Sequence, residues 1–313
     1  MAAGTPRPAG DPSAGSQREL RWCFLGQVPY REAVALQEAL RQQLRDAARH
    51  EAAAALTVPA GAAPPGAANK AGPASAVAAP AAGAGASAGA RGLAPPAPLA
   101  LDVGLPRGGG QTEHLLLLEH PHVFTLGRNA SAADVLASAE WLAQRGVEVV
   151  ESDRGGQVTY HGPGQLVGYP ILNLAPDRKD VRRYVRDLEE VLVRTLADDG
   201  IAAAVRPGAA LVGVWVGDEK IAAIGVHLSR WITTHGFALN VATDLSLYAG
   251  IVPCGLRQEG VTSIARLLGS APPLGAVAAR LAGHFAEVFG RRLAAAAPSS
   301  LPPASSSPLP PRP

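Results

Sequence analysis

The sequence predicts an α+β fold: a mixed, largely antiparallel sheet with flanking helices. Three observations lead there. Short β-type runs come in clusters, amphipathic helical stretches lie between the clusters, and Val216-Gly217-Asp218-Glu219-Lys220 reads as a tight hairpin turn joining two of the runs.

Along the chain, RWCFLG reads as an apolar strand, and residues 31–49 carry a helical stripe at Leu36, Leu40 and Leu44. The strand runs HLLLLEH (114–120) and HVFTLGR (122–128) follow. Ser131 and Asp134 form a capping box before DVLASAEWLAQR, predicting a helix that Gly146 stops. VEVVES, QVTY and QLVGYPILNL then read as strands. Residues 180–199 repeat Val181, Tyr184, Val185, Leu188, Val191 and Leu192 at helical spacing and end at Gly200. LVGVWV, KIAAIGVHL and WITTHGFALNV are the last long strands, and an amphipathic helix over 274–289 closes the folded part.

Of the 313 residues, 17% are charged and the formal net charge is +2, so there is no electrostatic case for nucleic acid or an anionic membrane surface. The apolar runs are too short to span a bilayer. Cys23 and Cys254 have no CxxC spacing and suit a reducing compartment better than a disulfide scaffold. The N-terminus lacks the apolar core of a secretory signal. Its Ala, Ser and Arg leave a mitochondrial alternative, but Asp11 and the prolines favour a cytoplasmic protein.

Residues 52–108 are dominated by Ala, Gly and Pro, with Lys70 and Arg91 the only charges between Ala52 and Ala100. Such a segment buries too little surface to offset its ordering entropy. The expected organisation is a disordered tail over 1–18, one domain over 19–292 interrupted at about 52–108, and a Pro/Ser-rich tail over 293–313.

No GxxxxGK[ST] loop, GxSxG elbow or HExxH is present. His120-Pro-His122 lacks companion ligands at metal spacing and reads as an exposed turn. Cys254 lies between Pro253 and Gly255, a local geometry that presents a side chain, although a core thiol is the bland alternative. Cys23 reads as core. A reactive cysteine needs a nearby cation or base, for which Lys220, His161, His227 and His235 are candidates. Lys220 is notable because it opens the apolar strand KIAAIGV, where a snorkelling edge lysine is the alternative. RGGQVTYHGPGQLVGYP places Gly155, Gly156, Gly162 and Gly164 where a backbone must kink or admit something closely.

Together LLLLEHPHVFTLGR, RGGQVTYHGPGQLVGYPILNL, GVWVGDEKIAAIGVHLSRWITTHGFALNV and DLSLYAGIVPCGL followed by VTSI resemble the lipoyl(octanoyl) transferase family, in family order over nearly all of 19–290. The resemblance implies a fold similar to the biotin/lipoate ligase catalytic domain. It implies transfer of octanoyl from octanoyl-acyl carrier protein, through a thioester on Cys254, to a lysine of lipoyl domains. The acceptors that the resemblance implies are the lipoyl domains of 2-oxoacid dehydrogenases and the glycine cleavage H protein. Lys220 would lower the thiol pKa and shuttle protons. Arg154, Gly155, Gly156, Gln157, Val158, Thr159, Tyr160 and His161 would line the acyl site, completed by Ala223, Ile224, Gly225, Gly236, Phe237 and Ala238. The glycines would open a slot for the acyl chain, and His161 and Arg154 would fix the loop or orient the carbonyl end. No cofactor or metal is implied.

The chain departs from the family in its insertion of about 57 residues, in His122 where Pro is common, and in Asn129 where a basic residue is frequent. The alternative function is an ATP-dependent lipoate- or biotin-type protein ligase of the same fold, which would not need Cys254.

Overall fold

The computed structural model describes residues 17–56, 111–208, 211–252 and 260–296. Its first elements are β1 (Glu19–Gln27), α1 (Tyr30–Leu56), β2 (Glu113–Glu119) and β3 (Val123–Leu126). Then come α2 (Ala139–Gln144), β4 (Glu148–Glu151), β5 (Val158–His161), β6 (Gln165–Ile171) and α3 (Val181–Ala197). The short β7 (Ala204–Val205) precedes β8 (Gly213–Val216), β9 (Glu219–Ser229) and β10 (Ile232–Asn240). β11 (Gly260–Val261), α4 (Ile264–Leu268), α5 (Leu274–Phe289) and β12 (Arg292–Ala295) complete the order.

Among the described residues the large sheet runs β12-β1-β2-β6-β10-β9-β8-β7, with β11 beside β9. β1 pairs parallel with β12 and β2, and β11 pairs parallel with β9; the other contacts are antiparallel. A smaller sheet has the order β4-β3-β5. The fold is therefore α+β with a mixed, mainly antiparallel sheet and flanking helices.

The leucine run of β2 is continuous because the strand is buried on both faces. Leu115 and Leu117 pack with Leu166, Phe237 and Leu239 against Tyr184, Leu188 and Leu192 of α3 and Leu281 and Phe285 of α5. Leu116 and Leu118 point the other way, with Val167, Tyr169 and Ile171, onto Leu36, Leu40 and Leu44 of α1. Each fully buried large apolar side chain contributes roughly 1.5–3 kcal/mol. A third cluster, with Phe124, Val158, Tyr160 and Leu247, fills the space behind the small sheet.

Three boundaries differ from the sequence expectation. The single helix expected over 134–145 is two elements: the Ser131–Asp134 capping box closes a 3-10 turn, and α2 starts afresh at Ser138. Tertiary bonds compete with the helix here, since the Leu136 and Ala137 amides both donate to Gly250 O (2.9 and 3.1 Å). α1 continues through Ala52 to Leu56, past the expected start of the insertion. β12 carries the fold past 292, held parallel to β1. Beside it the fully buried Glu113 accepts from Arg18 Nη1 and Arg291 Nε, each at 2.6 Å, and from the Asn173 amide at 2.9 Å. Those bonds compensate a carboxylate that is otherwise costly to bury. The expected tails and most of the insertion lie outside the described residues.

Candidate active site

A cavity opens between the large sheet and the small one, on the α1 side of β6 and β10. Its wall takes Arg154, Gly155, Gly156 and Gln157 from the loop before β5, and Thr159 and His161 from β5 itself. Ala223, Ile224 and Gly225 of β9, His235, Gly236, Phe237 and Ala238 of β10, Val167 and Tyr169 of β6, and Tyr30 of α1 complete it. The two sequence segments singled out as the acyl site thus meet across one space. Val158 and Tyr160 do not line it. Strand alternation turns their side chains into the third core cluster, where the Tyr160 hydroxyl meets His122 Nδ1 at 2.8 Å.

The glycines have a different use from the slot expected for all four. A Cβ on Gly162 would fall 1.9 Å from the Tyr160 hydroxyl oxygen, and one on Gly164 would fall 2.5 Å from Ala242 O, so these two admit protein, not ligand. Gly155 does lie on the cavity wall, and its amide donates to Val226 O at 3.0 Å. Opposite it, a Cβ on Gly225 would fall 2.9 Å from Gly155 O. Backbone meets backbone there, which closes the wall without side chains.

Arg154 is buried and fully engaged in holding the loop. Its Nη2 donates to Thr125 O (2.6 Å) and Oγ1 (2.8 Å), Nε donates to Thr125 Oγ1 (3.1 Å), and Nη1 donates to Gly155 O (3.1 Å). Next to it, Asp153 joins two histidines, with Oδ1 2.6 Å from His235 Nε2 and Oδ2 2.6 Å from His227 Nδ1. Burial works against the Asp153 charge, but the hydrogen bonds from His227 and His235 outweigh it and hold the carboxyl below its ordinary range. His235 is itself lowered, because burial exceeds the raising influence of Asp153. It sits within a strand at φ +55°, with its amide donating to Gln37 Oε1 at 2.7 Å. That left-handed conformation costs a non-glycine residue about 1–2 kcal/mol.

His161 and His120 form a stacked group with Tyr30: the Tyr30 and His161 rings stack at 6.2 Å, and His120 meets His161 edge-on at 5.7 Å. His120 is wholly buried, not in an exposed turn. Its Nδ1 donates to Val28 O (2.6 Å), so its Nε2 accepts from the Tyr169 hydroxyl (2.8 Å). Burial pushes His120 down to about 4 and His161 well below its usual value.

Lys220 is buried near the start of β9, between β8 and β11. Its Nζ donates to Val212 O at 3.2 Å and lies 4.7 Å over the Trp215 ring, so it is no surface-seeking edge lysine. Cys254 and the PCG motif lie outside the described residues. Cys23 is buried in β1, and burial pushes its thiol up to about 12, which leaves it inert as a nucleophile.

Sequence reasoning missed Tyr30, Val167 and Tyr169 on the wall, and Asp153, Gln165 and Asn240 behind it. Gln165 and Asn240 stand inside the matched motifs and were legible as polar residues within apolar strands. Tyr30 carried no signal, because the insertion separates it from Ser152, His120 and His161, which it meets in the fold.

The lipoyl protein ligase A/B catalytic domain model matches residues 99–286. Within that class the chain belongs to the octanoyltransferase family. It is 56% identical over 189 residues to the octanoyltransferase of Myxococcus xanthus, a match covering 58% of this chain and about half (52%) of that protein. Against the octanoyltransferase of Solibacter usitatus it is 56% identical over 181 residues, covering 58% of this chain and 80% of the relative. Among solved structures, the bi-partite lipoate protein ligase of Thermoplasma acidophilum superposes with a TM-score of 0.56 at 16% identity, over 90% of this chain and 89% of that one. A lipoate-protein ligase A bound with ATP gives 0.50 at 19% identity, over 61% and 79%. These two likenesses concern the fold alone.

Proposed function

We propose that this chain is an acyltransferase that moves octanoyl from octanoyl-acyl carrier protein to a lysine of lipoyl domains through a thioester on Cys254. The observation that carries the reading is the identity of 50–56% to octanoyltransferases over 179–189 residues. The cavity supports it chemically: its wall brings apolar side chains together with close-packed glycine backbone, a surface suited to a straight hydrocarbon chain.

In the first step the Cys254 thiolate attacks the donor thioester carbonyl, the new C–S bond forms, the carrier's C–S bond breaks, and the carrier leaves as a thiol with the proton that Lys220 gives up. One thioester replaces another at nearly equal energy. In the second step the acceptor lysine's neutral amine attacks the same carbonyl, the C–N bond forms, and Cys254 departs as thiolate. Amide formation makes the transfer downhill without ATP. At pH 7 an ordinary thiol is only about 3% ionised, so lowering its pKa by roughly two units recovers most of the nucleophile. In this reading Lys220 does that as an ammonium, gives its proton to the leaving carrier sulfur, and as a neutral amine takes the acceptor amine's proton when the amide forms.

The test is intact mass spectrometry of the full chain mixed with octanoyl-acyl carrier protein, beside Cys254→Ala and Cys23→Ala. The expected result is one hydroxylamine-labile octanoyl adduct, absent only from Cys254→Ala. An unmodified wild type that instead forms acyl-adenylate from ATP would move the chain to the ligases.

A further inference from the structure

Behind the cavity wall a line of buried amides sets the protonation of one ring. Gln165 Nε2 donates to the backbone carbonyl of Tyr160 (3.2 Å) and to Asn240 Oδ1 (2.9 Å). A carbonyl only accepts, so this end of the Gln165 amide is its NH2 group and Oε1 faces the other way. The same logic orients Asn240, whose Nδ2 donates to Thr262 O at 3.0 Å. The Thr262 amide in turn donates to Lys220 O at 3.0 Å. Two backbone carbonyls therefore fix both side-chain amides.

Gln165 Oε1 lies 2.8 Å from His161 Nδ1. Since that oxygen accepts, Nδ1 carries the ring proton. Burial keeps the ring neutral, which leaves Nε2 with a bare lone pair. His120, in the same tautomer, has its Nε2 satisfied by Tyr169. His161 Nε2 has no partner among the described residues, although the residue is only 6% exposed and lines the cavity. On the same wall Gln157 Oε1 is buried and, among the described residues, without a partner.

Taking the transferase reading as its basis, we infer that His161 receives the incoming amine, its Nε2 accepting a hydrogen bond from an N–H of the acceptor lysine, and that Gln165 and Asn240 are positioning residues that hold it in the accepting tautomer. A lone pair repels a thioester carbonyl oxygen, so His161 does not orient the carbonyl end as the sequence suggested. A neutral amine spends its own lone pair on the attack and keeps its N–H groups for an acceptor. His161 takes no proton in the step: the C–N bond forms, the C–S bond to Cys254 breaks, and the amine's proton goes to neutral Lys220. The chain through Asn240 and Thr262 to Lys220 O ties the ring that holds the amine to the strand that bears the proposed proton acceptor.

The experiment separates the two half-reactions by single turnover, using wild type, His161→Phe and Gln165→Met. Phe keeps the stack on Tyr30 and removes the lone pair; Met removes the acceptor that fixes the tautomer. In each variant octanoyl-enzyme formation from octanoyl-acyl carrier protein should fall far less than transfer does, and the adduct itself shows that the variant folds. Transfer from isolated octanoyl-enzyme to a lipoyl domain should fall roughly tenfold to a hundredfold, the worth of one buried hydrogen bond. Nitrogen-15 imidazole spectra, assigned by the signals that His161→Phe loses, should show Nδ1–H in wild type and added Nε2–H in Gln165→Met. Acylation falling as far as transfer, or Nε2–H in the wild-type ring, would overturn the inference while leaving the transferase reading intact. A wild type that never acquires the adduct overturns both, and only that outcome reaches the broader reading.

Discussion

The two faces of the large sheet share their strands but do opposite work. On the side of α3 and α5, side chains from β2, β6 and β10 meet Tyr184, Leu188, Leu281, Phe285 and Phe289 in an apolar layer. On the other side α1 covers only part of the sheet, and the uncovered part faces the small sheet across a cavity carrying Arg154, His161, His235 and Tyr169. One face stabilises the fold through buried area, and the other holds polar groups whose states are set by neighbours. The difference shows that stability and chemistry are segregated by the two-residue period of a strand: Leu166 and Val167 are adjacent in sequence and belong to opposite layers.

The comparison breaks most sharply at Phe285, fully buried and stacked on Phe289 with ring centroids 4.1 Å apart. Phe285→Ala should cost about 3–5 kcal/mol in urea unfolding, with acyl transfer per folded molecule unchanged. If transfer falls in step with stability, the two faces are not separable.

A smaller effect sharpens the contrast through pH. His120 is held at about 4 in the fold against about 6.5 in an unfolded chain. The unfolded chain therefore takes up a proton that the folded one refuses, and stability falls as pH drops from about 6.5 toward 4. For His120 alone the loss between pH 7 and pH 5 is about 2 kcal/mol. His114, also lowered to about 4, and the more strongly lowered His161 act in the same sense. Urea midpoints measured across that range should fall steadily, and His120→Gln should flatten the slope. Phe285→Ala should leave the slope alone, because Phe285 belongs to the apolar cluster of the opposite face.

The smallest effect belongs to neither face. Arg31 and Glu148 form an ion pair at 2.9 Å whose side chains are 62% and 50% exposed. Arg31→Ala should move stability by less than about 0.5 kcal/mol, and a larger loss would show that α1 is clamped to the small sheet by charge and not by Tyr30 packing.

Much of this was legible in the chain. The helical stripe of α1, the Asp180 start of α3, the limits of α5 and the hairpin between β8 and β9 follow local rules that neighbouring residues enforce. The split at 134–145 was not legible, because a carbonyl more than a hundred residues away, Gly250 O, takes the amides the helix would have used. Most of the cavity wall was readable as two motifs. Which of its residues face inward was not, and Val158 and Tyr160 were assigned to the wrong side for that reason. Tyr30 and Tyr169 were missed because their part depends on a meeting between α1 and the sheet.

By itself the sequence determined the fold class, the family and the two segments that face each other across the site, since patterning and motif order are properties of the string. Only the tertiary structure decided what each polar group is. The glycines of HGPG make room for protein, His120 is buried and satisfied, and His161 carries its proton on Nδ1 because Tyr160 and Thr262 carbonyls orient two amides behind it. Protonation and tautomer follow from burial and from partners distant in the chain, and those exist only once the two sheets have closed on each other.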